Sequence, residues 1–537
     1  MKRNYGIIIL FYVLFLAGLP CTVQAQAGFQ KIMAATAGDY QGNDAIEASD
    51  GGYIIVGSSQ SDANYFNIYV VKTDVNGNYM WANEYGGGGS AHEFGYSIKE
   101  TYDNGFIILG MTEAYAVPGC GIPCPDVFLI RIDSIGDVLW SKAIGGAQED
   151  YGYDVQETSD SGFIVTGYTK SFGAGNADVY LIRTDMNGDT LWTRTYGGTD
   201  KDYGHSVQQT SEGGFIVTGY TKSYGAGNAD VYLLKTDANG DTLWTKTYGG
   251  DSTDVANSVQ QTSDGGYILV GYSESFLSVP RTLYLVKTDS LGNLLWARGC
   301  TYFGWDEGKS VKIDSVGNYL IGGSSGVWVG SNVDVFLLKT DNLGNKIWSY
   351  AFGGLFGDFG NSLYPTSDNM YLIAGTTYSF DNFSRYHLIK TDALGNGGGC
   401  YEYIANSFCQ EVTLLTSVGS GAIVGSTTSI VNDTMTSYSQ LMPGIIDLCD
   451  TVTSIVQGAK RYNQIGVYPN PTKGLITLNT LSENGDVRAT VYNVLGELVY
   501  NNFFIDNNID LSDLSSGVYI IHIAHGTTIY RERIIKL

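Results

Sequence analysis

The sequence predicts an all-β fold, an eight-bladed β-propeller with seven blades as the alternative, followed by a small C-terminal Ig-like β-sandwich. Three observations lead there. The 537 residues include 40 Tyr and 71 Gly against only 9 Pro, a balance that suits many short strands joined by tight turns. A basic residue and a tryptophan recur nine positions apart, as Lys72/Trp81, Arg131/Trp140, Arg183/Trp192, Lys235/Trp244, Lys287/Trp296 and Lys339/Trp348. After Cys449 the repeat stops, and apolar residues alternate between Gly and Pro turns.

The chain opens on Met1-Lys2-Arg3, an apolar run from Ile7 to Leu19 and small residues at Ala25-Gln26-Ala27, the three-part pattern of a secretory signal peptide cleaved after Ala27. Cys21 offers a lipoprotein alternative, against which Pro20 stands where that processing wants a small residue. Loss of Lys2 and Arg3, the only charged residues of that segment, takes the formal charge from −24 to −26. Such acidity disfavours nucleic acid and anionic membrane as partners. Beyond residue 27 no stretch is long and apolar enough for a transmembrane helix, so no such anchor is expected.

The repeat is clearest from Ser206 to Gly249. Ser206–Thr210 reads as one strand, Phe215–Thr221 as the second, Val231–Thr236 as the third and Leu243–Tyr248 as the fourth, with Asn239-Gly240 as a tight hairpin. Four antiparallel strands in a 52-residue period make one blade; successive Trp spacings are 59, 52, 52, 52 and 52. A seventh copy, Lys390-Thr391-Asp392, reaches Gly399-Cys400 where Trp would fall. The interior glycine of the second strand recurs eight times, at Gly57, Gly110, Gly167, Gly219, Gly271, Gly323, Gly375 and Gly425. The last copy offers strands near Val412–Ser417, Ala422–Thr428 and Ser437–Met442 but no fourth, while Phe29–Ala34 reads as a fourth strand without a blade. The two ends are therefore expected to complete one blade together, which removes exposed sheet edges. A bulky neighbour is expected against each interior glycine, and the recurrent Trp is the natural candidate.

The run Thr236-Asp237-Ala238-Asn239-Gly240-Asp241-Thr242-Leu243-Trp244 resembles the quinoprotein-type propellers, in which an Asp, a turn glycine and a Trp dock neighbouring blades. That resemblance implies a docking role for Trp81, Trp140, Trp192, Trp244, Trp296 and Trp348. It extends to architecture only, since no ligand set for a quinone is present.

At the C-terminus, Val467-Tyr-Pro469-Asn470-Pro471-Thr-Lys-Gly474 is followed by Val491–Val499 around Gly496, Ile509–Ile520 around Gly517, and Ile534-Ile-Lys536-Leu537. These motifs, in this order at the chain end, closely resemble the type A sorting domain of the type IX secretion system. The resemblance implies a Bacteroidota source, type IX machinery as partner, and a product attached to the cell surface or released. The expected division is a signal peptide 1–27, a propeller 28–450, a linker 451–464 and a sorting domain 465–537.

Candidate chemistry is sparse. Asp237–Asp241 and Asp185–Asp189 match part of a calcium loop, but sister copies such as Asp289–Asn293 replace the middle ligand with an apolar residue and lack a distal Glu, which favours a plain hairpin; no cofactor is expected, with calcium the alternative. Glu93, Asp202, Asp254, Asp306 and Asp358 recur between blades and are expected on one face of the ring, either lining the funnel or serving turns and inter-blade hydrogen bonds. Gly322–Gly326 has Gly-x-Ser-x-Gly spacing and Gly304–Ser310 nearly that of a P-loop, yet both fall in blade repeats with no helix following. The histidines, among them His522 and His525, are scattered. Six cysteines survive cleavage, and Cys120/Cys124 and Cys400/Cys409 are expected disulfides, with free thiols as the alternative. The insertion Ala116–Pro125 is the main irregularity and a place to seek specific function. The expectation is a monomeric, non-enzymatic binding or adhesion propeller for extracellular glycan or protein. A polysaccharide hydrolase or lyase with a carboxylate pair in the funnel is the alternative, and a structural surface component is the third reading.

Overall fold

A computed structural model describes residues 28–405 except 35–37, 63–64, 88–90, 116–123, 278, 327–332, 381–382 and 399–401, and beyond these the segments 407–412, 415–417, 422–425, 429–433, 444–447, 466–468, 473, 475–479, 487–493, 498–504, 508–525 and 528–536. The signal peptide and the linker lie outside them. The chain divides into two compact units, residues 1–450 and 451–537.

The first unit is a seven-bladed β-propeller. Blade 4 shows the pattern: inner strand Asp202–Gln209, second strand Phe215–Thr221, third strand Asp230–Thr236 and outer strand Thr242–Gly249, all antiparallel. The third strand is continuously buried, reading Val231, Leu233 toward one neighbouring blade and Tyr232, Leu234 toward the other, because a blade is covered on both faces. The apolar core is thus a series of interfaces between blades. Each of the seven inner strands carries a β-bulge at the same place, Gly204/Ser206 in blade 4.

Blade 7 closes the ring. Its strands Asp358–Pro365, Tyr371–Thr377 and Arg385–Thr391 are joined by the N-terminal strand Phe29–Ala34, with Phe29 opposite Lys390 and Met33 opposite Tyr386. Gly444–Asp447 then pairs with the other edge of Phe29–Ala34. The two ends of the propeller do meet in one sheet, as the orphan N-terminal strand implied, but that sheet is the seventh blade.

The expected eighth blade does not exist. Five short strands between residues 402 and 433 each add a fifth strand to a blade, and they take the blades in the order opposite to the ring. Glu402–Ile404 pairs with the outer strand of blade 6, Phe408–Glu411 with blade 5, Leu415–Ser417 with blade 4, Ala422–Gly425 with blade 3 and Ser429–Asp433 with blade 2. Gly425 lies opposite Arg194 in this belt, so its alignment with the interior glycines has no structural counterpart. The physical reason is that segments of three to five residues, with neither hairpin turn nor Trp, are too short to build a blade. They are long enough to satisfy the open N–H and C=O groups of an outer strand.

The belt is clamped by a disulfide between Cys300 in the outer strand of blade 5 and Cys409, which face each other across the pairing. This corrects the expected Cys400/Cys409 bridge: nearness in sequence is outweighed by the belt, which carries Cys409 to another blade. Cys124 is also disulfide-bonded; Cys120 lies outside the described residues.

The second unit holds a three-stranded sheet, Gly466–Tyr468, Leu475–Asn479 and Asn508–Asp510, and a four-stranded sheet, Val487–Asn493, Leu498–Phe504, Gly517–His525 and Thr528–Lys536. Ile476 and Ile509 of the first share a core with Ala489, Val491, Tyr519 and Ile521 of the second.

Candidate functional site at the channel mouth

The interfaces set the ring's geometry. Each of the six tryptophans lies against the hairpin glycine of the following blade: Trp81 on Gly136, Trp140 on Gly188, Trp192 on Gly240, Trp244 on Gly292, Trp296 on Gly344 and Trp348 on Gly395. At Gly240 a Cβ would stand 2.9 Å from the indole of Trp192, and φ is +79°, so the turn and the packing both demand glycine. Tyr196 adds a hydroxyl that donates to the Gly240 carbonyl at 2.6 Å. The interior strand glycines serve another purpose than the one expected. At Gly219 a Cβ would meet the Tyr203 carbonyl oxygen at 1.9 Å, so the room is needed by the bulged inner strand of the same blade and not by Trp.

The five recurrent carboxylates start their inner strands on one face of the ring, and all are at most 1% exposed. Asp202 accepts hydrogen bonds from Ser223 Oγ at 2.6 Å, from the Gly198 amide at 2.8 Å and from Thr221 Oγ1. Asp254 and Asp358 repeat this with Ser275 and Ser379. Asp306 takes Thr301, the amides of Tyr302 and Gly304, and Ser325, while Glu93 takes Thr112. Asp150 is the same feature in blade 3, overlooked because Asp154 replaces the Ser that ends the motif elsewhere. Each acid is sealed in its own junction rather than opened to the channel. Burial pushes Glu93 up to about 7 and Asp358 up to about 6, with the charge of Asp334 adding to the latter. Neither lines the slot at the blade 2/3 junction or the cavity between blades 6, 7 and 1.

What faces the channel is the alternate residues of the inner strands. Halfway along, Lys99 Nζ lies 2.7 Å from Asp44 and 3.9 Å from Asp154. The amides of Ile98 and Val207 donate to Asp44 and Asp154, tying each blade to the next. Asn43, Asn257 and Asn361 donate to the carbonyls of Gly95, Gly308 and Gly42 in the following blades, and His205 Nδ1 stands 3.1 Å from the Ala256 carbonyl in the same role. Burial, reinforced by the Lys309 ammonium, holds His205 down at about 4, so the ring is neutral at pH 7.

Toward the end where the inner strands begin, the channel becomes aromatic. Tyr151 stacks on Tyr168 with centroids 5.0 Å apart and Tyr203 on Tyr220 at 4.9 Å, both 16° from parallel, because each pair sits cross-strand on adjacent inner and second strands. Tyr168 and Tyr203 join the two pairs across the blade 3/4 junction at 4.3 Å, and Tyr153 meets His205 edge-on at 5.5 Å. Opposite them, between blades 6, 7 and 1, lies a cavity of about 360 Å³ lined by Trp305, Phe359 and Tyr378 together with Gln41, Glu307, Lys309 and Asn361. Arg281 stacks over Tyr272 at 3.8 Å and Trp305 at 4.8 Å and ion-pairs with Glu307 at 3.3 Å. Burial pulls Glu307 upward, but Lys309 and Arg281 together hold its carboxyl below the usual range. The channel end thus combines flat apolar rings with a few fixed polar groups. Sequence reading noted abundant tyrosine but missed this cluster. The signal was the Tyr at the second position of the inner strands of blades 3 and 4, matched by Tyr168 and Tyr220 in their partners.

The remaining sequence candidates fall as follows. Asp237 Oδ1 accepts the amides of Asn239 and Asp241 at 2.8 and 2.9 Å, the geometry of an Asx turn closing the hairpin. Among the described residues no group of three His, Cys, Asp or Glu side chains stands together as a metal site. Gly322–Gly326 lies wholly within the second strand of blade 6, and Gly304–Ser310 leads directly into its inner strand. Pro469, Asn470, Pro471, Gly474 and Gly496, the insertion residues 116–123 and the side chains of His522 and His525 lie outside the described residues. Gly517 opens and Lys536 ends strands of the second unit. Among the described residues no helix is long and apolar enough to cross a membrane.

Residues 466–537 match the family model described as secretion system C-terminal sorting domain. The chain is 26% identical over 175 residues to the regulatory protein FlaEY of Caulobacter vibrioides, covering 28% of this chain and 18% of that protein. It is 25% identical over 290 residues to the WD repeat-containing protein L264 of Acanthamoeba polyphaga mimivirus, covering 37% and 21%. It thus spans about a fifth of the length of these relatives. Among solved structures, PorZ of Porphyromonas gingivalis, described as an essential bacterial surface component of the type IX secretion system, aligns with a TM-score of 0.36 at 10% identity over 92% of this chain and 59% of that one. Sqt1 of Chaetomium thermophilum aligns at 0.37 and 9%, over 66% and 97%. The sorting domain makes this a Bacteroidota-type protein exported by the type IX system to the cell surface or the medium.

Proposed function

We propose that the exported propeller is a binding module that takes extracellular carbohydrate at its channel mouth and performs no bond-breaking step there. The stacked pairs Tyr151/Tyr168 and Tyr203/Tyr220 carry this reading. Sugar rings pack their C–H faces on flat aromatic surfaces, and a rigid ring presents these surfaces without ordering cost on binding. The cavity beside Trp305, Phe359 and Tyr378 supplies amide, carboxylate and ammonium groups for hydroxyls, in a volume suited to one or two sugar units. The raised carboxylates support the non-enzymatic side of the reading, because they lie sealed in separate junctions rather than facing one another across the mouth.

In this reading the mature monomer keeps the propeller, 28–450, and the sorting domain, 465–537, delivers it. The shared core of the two C-terminal sheets supports an Ig-like sandwich. The test is retention of the purified mature chain on a glycan array, with product release read in parallel. Tyr203→Ala combined with Tyr220→Ala should lower retention on the positive glycans by roughly tenfold, the loss of one good stacking contact. Unchanged retention would remove the mouth from consideration, and released oligosaccharide would overturn the non-enzymatic reading.

A further inference from the structure

The face opposite the mouth carries a second surface. Antiparallel order places the turns between first and second strands and the hairpins between third and fourth strands together at this face, away from the start of the inner strands. The residue before each docking Trp points outward, because the Trp points in and side chains alternate along a strand. In all six copies it is a large aliphatic residue left half-exposed: Met80 52%, Leu139 56%, Leu191 58%, Leu243 59%, Leu295 56% and Ile347 49%. Hairpin tips add Ile135, Met186, Leu291, Leu343 and Leu394. An outward position in a half-buried strand is ordinarily polar, so apolar residues repeated there in six of the seven blades make a surface in need of a partner.

Charge marks one sector of the ring. Each blade's turn acid is neutralised internally by the basic residue nine before the Trp position: Lys72 holds Asp50 at 2.8 Å, Lys235 holds Glu212 at 2.9 Å and Lys390 holds Asp368 at 2.6 Å, with the other blades alike. Among the described residues Glu47, Glu100 and Glu157, at the ends of three consecutive inner strands, form no such ion pair. Each accepts only neutral donors of the preceding blade, through the amides of Ser367 at 2.6 Å, Ser49 at 2.8 Å and Tyr102 at 3.2 Å. In the next two blades Gln209 and Gln261 make the same bond without charge. At the blade 2/3 junction Glu157 lines a slot of about 170 Å³ together with Tyr102, Leu139, Trp140 and Met186, and Arg131, whose charge is taken by its ion pair with Asp103, stands in the same lining. Burial raises the Glu157 carboxyl above its ordinary range, outweighing the Tyr102 amide and the Arg131 guanidinium, which both pull it down.

We propose that this face, over the junctions of blades 7/1, 1/2 and 2/3, docks a protein partner that presents lysine or arginine side chains among apolar ones, with a cation seated at each of Glu47, Glu100 and Glu157. The aliphatic stem of such a side chain lies along Leu139 and Met186 while its head reaches the carboxylate, which suits the slot's apolar walls and acidic end. The surface is independent of the mouth, and loss of glycan binding leaves it untouched.

The probe is a labelled helical peptide of about 18 residues with leucine on one face and arginine on the other, titrated into the purified mature chain at about 50 mM and about 300 mM salt. Saturable binding that weakens with salt is expected. Replacing Glu47, Glu100 and Glu157 by Gln keeps the amide acceptors and should weaken binding by roughly tenfold while flattening the salt dependence. Leu139→Ser, at an exposed position that leaves folding intact, should weaken it by about fivefold. Equal binding by the triple variant and by Leu139→Ser, equal binding of a peptide with Glu in place of Arg, or no binding at all would each overturn the proposal.

Discussion

Replacing Cys409 by Ser isolates the clamp on the belt. The bridge joins residues 109 apart in sequence, and in the chain-entropy description a loop of that length restricts the unfolded state by about 4.8 kcal/mol at 25 °C. Native contacts change little, because Cys300 is buried against Ala405 and the blade 5/6 core, and Ser is of similar size. The expected loss is therefore about 3–5 kcal/mol, comparable to much of the net stability of a domain. Denaturant unfolding of the oxidised mature chain, followed by Trp fluorescence, would show a lower midpoint for Cys409→Ser with little change in slope. Cys300→Ser should give the same shift, and the double variant no more than either, since both remove one bond. Peptide mapping of the native protein provides the independent check. A loss below about 1 kcal/mol, or a mapped bond from Cys409 to Cys400, would refute the belt register on which the argument rests.

Three further outcomes are expected. Gly240→Ala combines a left-handed backbone, φ +79°, with a Cβ 2.9 Å from Trp192, and should cost about 2–4 kcal/mol by thermal unfolding, whereas Gly213→Ala, with positive φ but open space around it, should cost only about 1. Asp358, raised from 3.8 to about 6, binds its proton more tightly folded than unfolded, so its stabilising contribution is complete below about pH 4 and fades as pH rises to 6, a swing of about 3 kcal/mol. Asp358→Asn should flatten the stability profile across that window, and an unchanged profile would show that the carboxyl is not the titrating group. Lys99→Met removes the cation that holds Asp44 and Asp154 together in the channel and leaves them only the Lys312 ammonium, which makes no ion pair with either among the described residues; it should cost about 2–3 kcal/mol near neutral pH, with part recovered in Asp44→Asn/Lys99→Met.

Much of the fold is legible in the repeat because each blade is written locally. The Asp-x-x-Gly hairpin, the Trp four residues after its glycine and the continuous apolar third strand all lie within one 52-residue copy. The channel-mouth tyrosines were harder to find. Tyr151, Tyr168, Tyr203 and Tyr220 are unremarkable among 40 Tyr until strand register sets them opposite one another. The recurrent carboxylates were visible as a motif, but whether Asp202 faces water or Ser223 depends on the loop after the second strand, which folds back over it.

By itself the sequence determined the all-β class, the blade unit, the closing N-terminal strand and the sorting domain with its export route, since each rests on residues near one another in the chain. Tertiary structure alone decided the number of blades. Repeat counting follows Gly425 into an eighth copy, whereas the open edges of the outer strands draw the five short strands between 402 and 433 onto successive blades as a belt. It also decided the partner of Cys409, the burial of the carboxylate ring and which side chains each face of the ring presents. These depend on which side chains meet across blade junctions, and hydrogen-bonding edges and packing between blades, rather than proximity in the chain, govern those meetings.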